Sequence, residues 1–159
     1  MAEKAQAICS KHSKHFMAAL EDFIIDKYLY RRVLEAAAGA GLRIDPQEVA
    51  GVRSVKELRE RAFNTALQYI EENPGRIDPD RILQAVETDG MTGRIVGTLV
   101  SLLAGANSEL TYEDAVAIAD HCGLRRTRVL LTKYPNVSKI VIALLNALIK
   151  AYRASQGTT

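Results

Sequence analysis

The tripeptide Ile77-Asp78-Pro79 repeats Ile44-Asp45-Pro46, and a degenerate third copy stands at Leu110-Thr111-Tyr112. Each copy follows the previous one by 33 residues, a period long enough for two helices and a turn. An aspartate before a helix can accept hydrogen bonds from the exposed N–H groups of the first turn, and proline suits the first helical position because it has no N–H to leave unpaired. The recurrence therefore predicts three stacked helical hairpins.

Other helix boundaries can be located from local signals. Ser54 and Glu57 form the pattern of a capping box, and the Asn73-Pro74-Gly75 stretch is typical of a helix stop. In the third copy Thr111 takes the place of the capping aspartate. Gly123 follows it at the point where glycine would end a helix in the left-handed conformation. These signals predict where the helices begin and end.

The whole chain is predicted to form one all-α domain over residues 1–159, with seven or eight helices. Apolar residues at steps of three and four predict an N-terminal helical segment, either as one long helix or as two. No stretch shows the sustained alternation of apolar and polar residues that is typical of strands. The predicted parts are the N-terminal segment at 1–38, hairpins at 41–73, 74–107 and 108–135, and a closing helix at 136–154.

Two predicted helices, 92–105 and 137–152, are apolar on nearly every side. A helix of this kind must be covered all round. Either the two share a single core, or another subunit covers one of them, in which case the chain is a homo-oligomer or a subunit of a larger assembly. Their most apolar stretches are only about ten residues long, roughly half of a membrane span, so no membrane partner is expected.

The chain has two cysteines, Cys9 and Cys122, and their spacing is not that of a paired motif. The N-terminus shows no secretory leader pattern. These features predict a reduced, intracellular or cytoplasmic protein, with a virion-associated location as the alternative. Although Cys9, His12 and His15 are spaced by three, positions at that step drift around a helix, so we predict neither a metal nor a cofactor.

Charge is unevenly distributed along the chain. The stretch from 121 to 159 has seven basic residues and no acidic one, although the net charge of the whole chain is only +2. A positive stretch of this kind favours an anionic partner such as nucleic acid. A solvated basic face that complements the acidic middle of the chain is the alternative.

Residues 115–134 resemble helix-turn-helix DNA-binding units, through Ala119, Gly123 and Val129, and residues 82–101 do so more loosely. In that family the helix after the turn lies in the major groove. The resemblance implies a contacting face made of Arg125, Arg126, Thr127 and Arg128, with Lys133 and Lys139 adding phosphate contacts. Leu130 and Leu131 depart from the family pattern, because they occupy positions that usually face DNA.

No phosphate-loop glycines, nucleophile elbow or catalytic carboxylate pair are present, so the chain is not expected to be an enzyme. The leading interpretation is a nucleic-acid-associated protein that binds mainly the phosphate backbone, with DNA favoured over RNA, such as a packaging or virion-type nucleoprotein. The alternative is a helical protein–protein interaction module, or an oligomeric assembly subunit, with no nucleic-acid role. The predicted nucleic-acid-binding residues are Arg125, Arg126, Thr127, Arg128, Lys133, Lys139, Lys150 and Arg153.

Overall fold

The computed structural model describes residues 9, 13–43, 51, 53–87 and 109–157, without the side chains of 85–87 and 152–157. These residues form helices and turns, and no strand is present among them. The predicted all-α class is therefore confirmed. The α-helices are α1 (Lys14–Phe23), α2 (Tyr30–Gly39), α3 (Val55–Glu72), α4 (Pro79–Glu87), α5 (Tyr112–Cys122), α6 (Arg125–Lys133) and α7 (Pro135–Gly157).

The N-terminal segment is continuous from Lys14 to Gly39. A π-helical turn over Ile24–Leu29 joins α1 to α2, and the backbone stays in the right-handed helical region at both joints. The run begins at Ser13, whose side chain accepts from the Phe16 N–H at 3.1 Å. Cys9 is also helical but lies before this cap. One long helix, not two separate ones, thus extends from Ser13 to the glycines near residue 40.

The helix starts predicted from the local caps at Ser54, Asp78 and Thr111 are confirmed. Ser54 Oγ accepts from the Glu57 N–H at 3.1 Å, and Asp78 accepts from the N–H two residues further on at 3.1 Å. At the third copy, Thr111 and Asp114 each accept from the other's backbone N–H, both at 3.1 Å, which completes a reciprocal capping box. Each cap is encoded within four residues of its helix.

The main core lies where α2, α3 and the start of α7 meet. Its buried members are Val33, Ala37, Ala66, Leu67, Ile70, Tyr134 and Val137. α2 and α3 run side by side in the same direction, with Tyr30 against Phe63 at one end and the Tyr69 hydroxyl donating to the Ala40 carbonyl at the other. The closing helix α7 also contacts α4, α5 and α6, so it joins the second half of the chain to the first.

The three-hairpin array stays a prediction. The helix expected after Pro46 and the one expected over 92–105 lie outside the described residues. The closing helix begins at Pro135 and extends to Gly157, slightly beyond its predicted limits at both ends. No helix in the described part of the chain combines the length and the apolar character needed to span a membrane.

The cysteine prediction is wrong. Cys9 and Cys122 form a disulfide, with their Cα atoms 5.3 Å apart and a sequence separation of 113 residues. The bond joins the segment before α1 to the last turn of α5, beside the buried side chain of Met17. Spacing along the chain could not reveal this pairing, because it depends on the N-terminal helix folding back onto α5.

Candidate functional site

The α5–turn–α6 hairpin carries the residues with the helix-turn-helix pattern. Ala119 is buried, and Gly123 ends α5 in the left-handed conformation at φ 71°, as the pattern predicts. Val129, the aliphatic position of the pattern, is 59% exposed. Leu131 is buried instead. Gly123 thus adopts the predicted left-handed conformation, whereas the buried aliphatic residue of α6 is Leu131 and not Val129.

Arg126 binds two carboxylates of the N-terminal helix. Its guanidinium contacts Asp22 at 2.9 Å and both oxygens of Asp26 at 2.6 and 3.0 Å. The hydrogen bond from Arg126 holds the pKa of Asp26 below its usual value. The carboxylates in turn raise the pKa of Arg126, which stays charged. Asp26 thus binds the guanidinium through both carboxylate oxygens, as two phosphate oxygens would.

Thr127 is also occupied by a carboxylate. Its backbone N–H and its hydroxyl both donate to the same oxygen of Glu21, at 3.0 and 2.7 Å. Leu124, the residue that precedes α6, has no side-chain oxygen to cap the helix. Glu21, 106 residues away in sequence, therefore supplies the cap from α1.

Arg128 points back towards α5. Its Nε contacts Asp120 at 2.8 Å, and its Nη1 donates to the Thr132 hydroxyl at 3.1 Å. Three of the four residues predicted to form the contacting face, Arg126, Thr127 and Arg128, are therefore paired with groups of the same chain.

The remaining basic side chains of this quarter are exposed. Lys133 lies over the Tyr134 ring, 5.5 Å from its centre. In the part of the chain that the structure describes, no carboxylate lies within ion-pair distance of Arg125, Lys133, Lys139 or Lys150. The side chain of the last predicted residue, Arg153, lies outside the described set.

Two of these cations share a face of α7. Lys139 and Lys150 are eleven residues apart, close to three full turns, so they lie on one side of the helix about 16 Å apart along its axis. Ala143 is exposed between them. This side of α7 therefore presents a positive stripe towards solvent.

The start of α7 is capped by a second distant glutamate. The Glu71 carboxylate accepts from the Asn136 N–H at 2.9 and 3.1 Å and from the Val137 N–H at 3.0 Å. Sequence reasoning missed both Glu21 and Glu71 as partners of this quarter. The available signal was the lack of Ser, Thr, Asp or Asn immediately before α6 or α7, which leaves both starts in need of an outside acceptor.

Within the described residues, no group of three or more His, Cys, Asp or Glu side chains could hold a metal ion. Both cysteine sulfurs are engaged in the disulfide. Comparisons of the chain with protein-family models, with curated proteins and with solved structures find no match.

Proposed function

We propose that this chain is a non-enzymatic nucleic-acid-associated protein that binds the phosphate backbone through its C-terminal quarter. One observation carries the proposal. Arg125, Lys133, Lys139 and Lys150 are exposed, and no carboxylate of the described residues pairs with them. Cations that no carboxylate neutralises can bind phosphates and release counterions, which supplies most of the affinity of sequence-independent binding.

Backbone binding suits this geometry better than base reading. In helix-turn-helix proteins the N-terminal end of the second helix meets the base edges. Here Glu21, Asp22 and Asp26 cover that end of α6. These carboxylates engage the guanidinium of Arg126 and the donors of Thr127, which would otherwise be available to base edges. The contact set we propose is therefore Arg125 with the lysines of α6 and α7, and DNA stays favoured over RNA.

The test is an electrophoretic mobility-shift titration of a DNA duplex at low and moderate salt. We expect the wild-type chain to shift the duplex at low salt and to lose affinity steeply as salt rises. The variant with Arg125→Gln, Lys139→Gln and Lys150→Gln should bind more weakly, with a log–log salt slope shallower by about 0.9 for each lost phosphate contact.

The matched control carries Lys14→Gln, Lys56→Gln and Arg81→Gln, three exposed cations on other helices. It removes the same net charge, so it should retain near-wild-type affinity if the contacts lie in the C-terminal quarter. A wild-type chain that shifts no DNA or RNA at low salt would refute the proposed function.

A second candidate is the protein-interaction module or assembly subunit. It is favoured by the exposure of Phe23 (45%) and Val55 (74%). Phe23 lies one turn before Asp26, and Val55 lies one turn before Arg59. The Arg59 side chain donates to the Asp26 carbonyl at 2.9 Å, so Phe23 and Val55 lie at the same end of the α2–α3 pair. This candidate predicts no shift of nucleic acid and a light-scattering mass above the 17.5 kDa of one chain.

A further inference from the structure

An open groove of about 660 Å³ lies between α3 and the junction of α6 with α7. α3 forms one wall and contributes Arg61, Asn64, Thr65 and Gln68. These residues recur at steps of three and four, so they share one face of the helix. The wall therefore combines a cation with two amides and a hydroxyl, all of which can bind a polar ligand.

Cations from two elements line this groove, and a third, Arg76, contacts one of its lining residues. Lys133, at the end of α6, lines the opposite wall. Arg76, in the 3-10 turn after α3, donates to the hydroxyl of Tyr69 at 3.0 Å, and Tyr69 lines the floor. Among the lining residues that the structure describes, the only carboxylate is Glu72, and Gln68 Nε2 donates to it at 2.8 Å. The groove thus carries a net positive charge.

The ion pair of Arg61 does not prevent it from binding an anion. Arg61 contacts Glu57 at 3.2 Å, one turn earlier on the same helix, and both side chains are more than a third exposed. Pairs of this kind contribute about 0.3–0.5 kcal/mol. A phosphate in the groove could therefore compete with Glu57 for the Arg61 guanidinium and accept two hydrogen bonds from it.

We propose that this groove binds a segment of single-stranded nucleic acid, an inference that rests on the proposed function and specifies its ligand. Arg61 and Lys133 contact phosphates from opposite walls. The amides of Asn64 and Gln68 hydrogen-bond to base edges, which are accessible in an unpaired strand. The base edges of a duplex are paired and face its own grooves, whereas those of an unpaired strand are accessible to these amides.

The experiment is a fluorescence-anisotropy titration with a labelled single-stranded oligonucleotide of mixed sequence and a duplex of the same length. The double variant Arg61→Gln, Lys133→Gln should bind the single strand about tenfold more weakly, with a salt slope shallower by about 1.4, or 0.7 for each of two phosphates. Its affinity for the duplex should fall less, with a salt slope shallower by only about 0.9, because Lys133 alone of the two residues belongs to the contact set of the proposed function. The control Lys14→Gln, Lys56→Gln removes the same charge and should bind both probes as wild type does.

Asn64→Ala gives a second, charge-neutral readout. Because it removes only an amide, it should weaken single-strand binding and leave the salt slope unchanged. The groove is the wrong site if Asn64→Ala and the double variant both bind the single strand as the control does, or if the double variant loses equal affinity for both probes. A wild-type chain that binds neither probe at low salt refutes the proposed function itself, a different result from loss of the groove alone.

Discussion

Among single residues, Arg126 shows that folding can pair a basic side chain that the sequence alone suggests is available to a ligand. The sequence places it in an acid-free quarter, where it is suited to phosphate. In the folded chain, the carboxylates of Asp22 and Asp26, about 100 residues earlier, already occupy its guanidinium. Its neighbour Arg125 has no such partner among the described residues, so adjacent arginines have different roles.

This contact makes the stability of the chain depend on Asp26 and on pH. Asp26→Asn should lower the free energy of unfolding at neutral pH by about 1 kcal/mol, a modest value because both side chains are about half exposed. The folded-state pKa of Asp26 is depressed, so its stabilisation is present above its ordinary pKa of 3.8 and is lost as pH falls through the lower folded value.

Urea unfolding of both proteins over a series of pH values would check this expectation. The two unfolding free energies should differ at neutral pH and converge in acid. A deficit of the same size at every pH, or none at neutral pH, would contradict the role of this ion pair.

At the scale of helices, a start can be predicted from sequence only when its cap is local. Ser54, Asp78 and Thr111 cap their own helices within four residues, and all three were predictable. The first turns of α6 and α7 instead donate to carboxylates that lie 106 and 65 residues away in sequence. Sequence could therefore locate α6 and α7 and show that they lack a local cap, but it could not show which distant residue satisfies their first turns.

Substitution of Glu71 measures how much a cap from a distant part of the chain contributes to stability. Glu71→Ala leaves the Asn136 and Val137 N–H groups without their acceptor and removes a negative charge from the helix start. We expect it to lower the free energy of unfolding by about 2 kcal/mol, because hydrogen bonds to a charged group contribute about 1.5–3 kcal/mol. Glu72→Ala, on the exposed side of the same turn, should change stability by less than about 0.5 kcal/mol.

Chemical denaturation of the two variants in parallel would measure the difference. Equal stability of Glu71→Ala and Glu72→Ala would show that solvent satisfies the start of α7 as well as the carboxylate does.

At the scale of the whole molecule, the fold brings the acidic and basic parts of the chain together. The unequal charge along the sequence predicts a strongly positive C-terminal quarter, yet Glu21, Asp22, Asp26 and Glu71 all lie against it. Sequence therefore predicted the all-α class and the basic character of the candidate surface. It could not predict which cations stay exposed, because their partners come from the first half of the chain.

The disulfide joins these two parts covalently, and its removal should have the largest effect on stability. A bond between residues 113 apart restricts the unfolded chain strongly, and the chain-entropy model gives about 4–5 kcal/mol for a loop of this size. The variant Cys9→Ser, Cys122→Ser should therefore unfold at a much lower denaturant concentration than the oxidised wild type. A reductant should destabilise the wild type to a similar degree and leave the variant unchanged, which separates loss of the bond from an effect of serine beside Met17. Thiol labelling of the unreduced wild type under denaturing conditions should find no free cysteine, whereas two labelled thiols would show that the bond does not form.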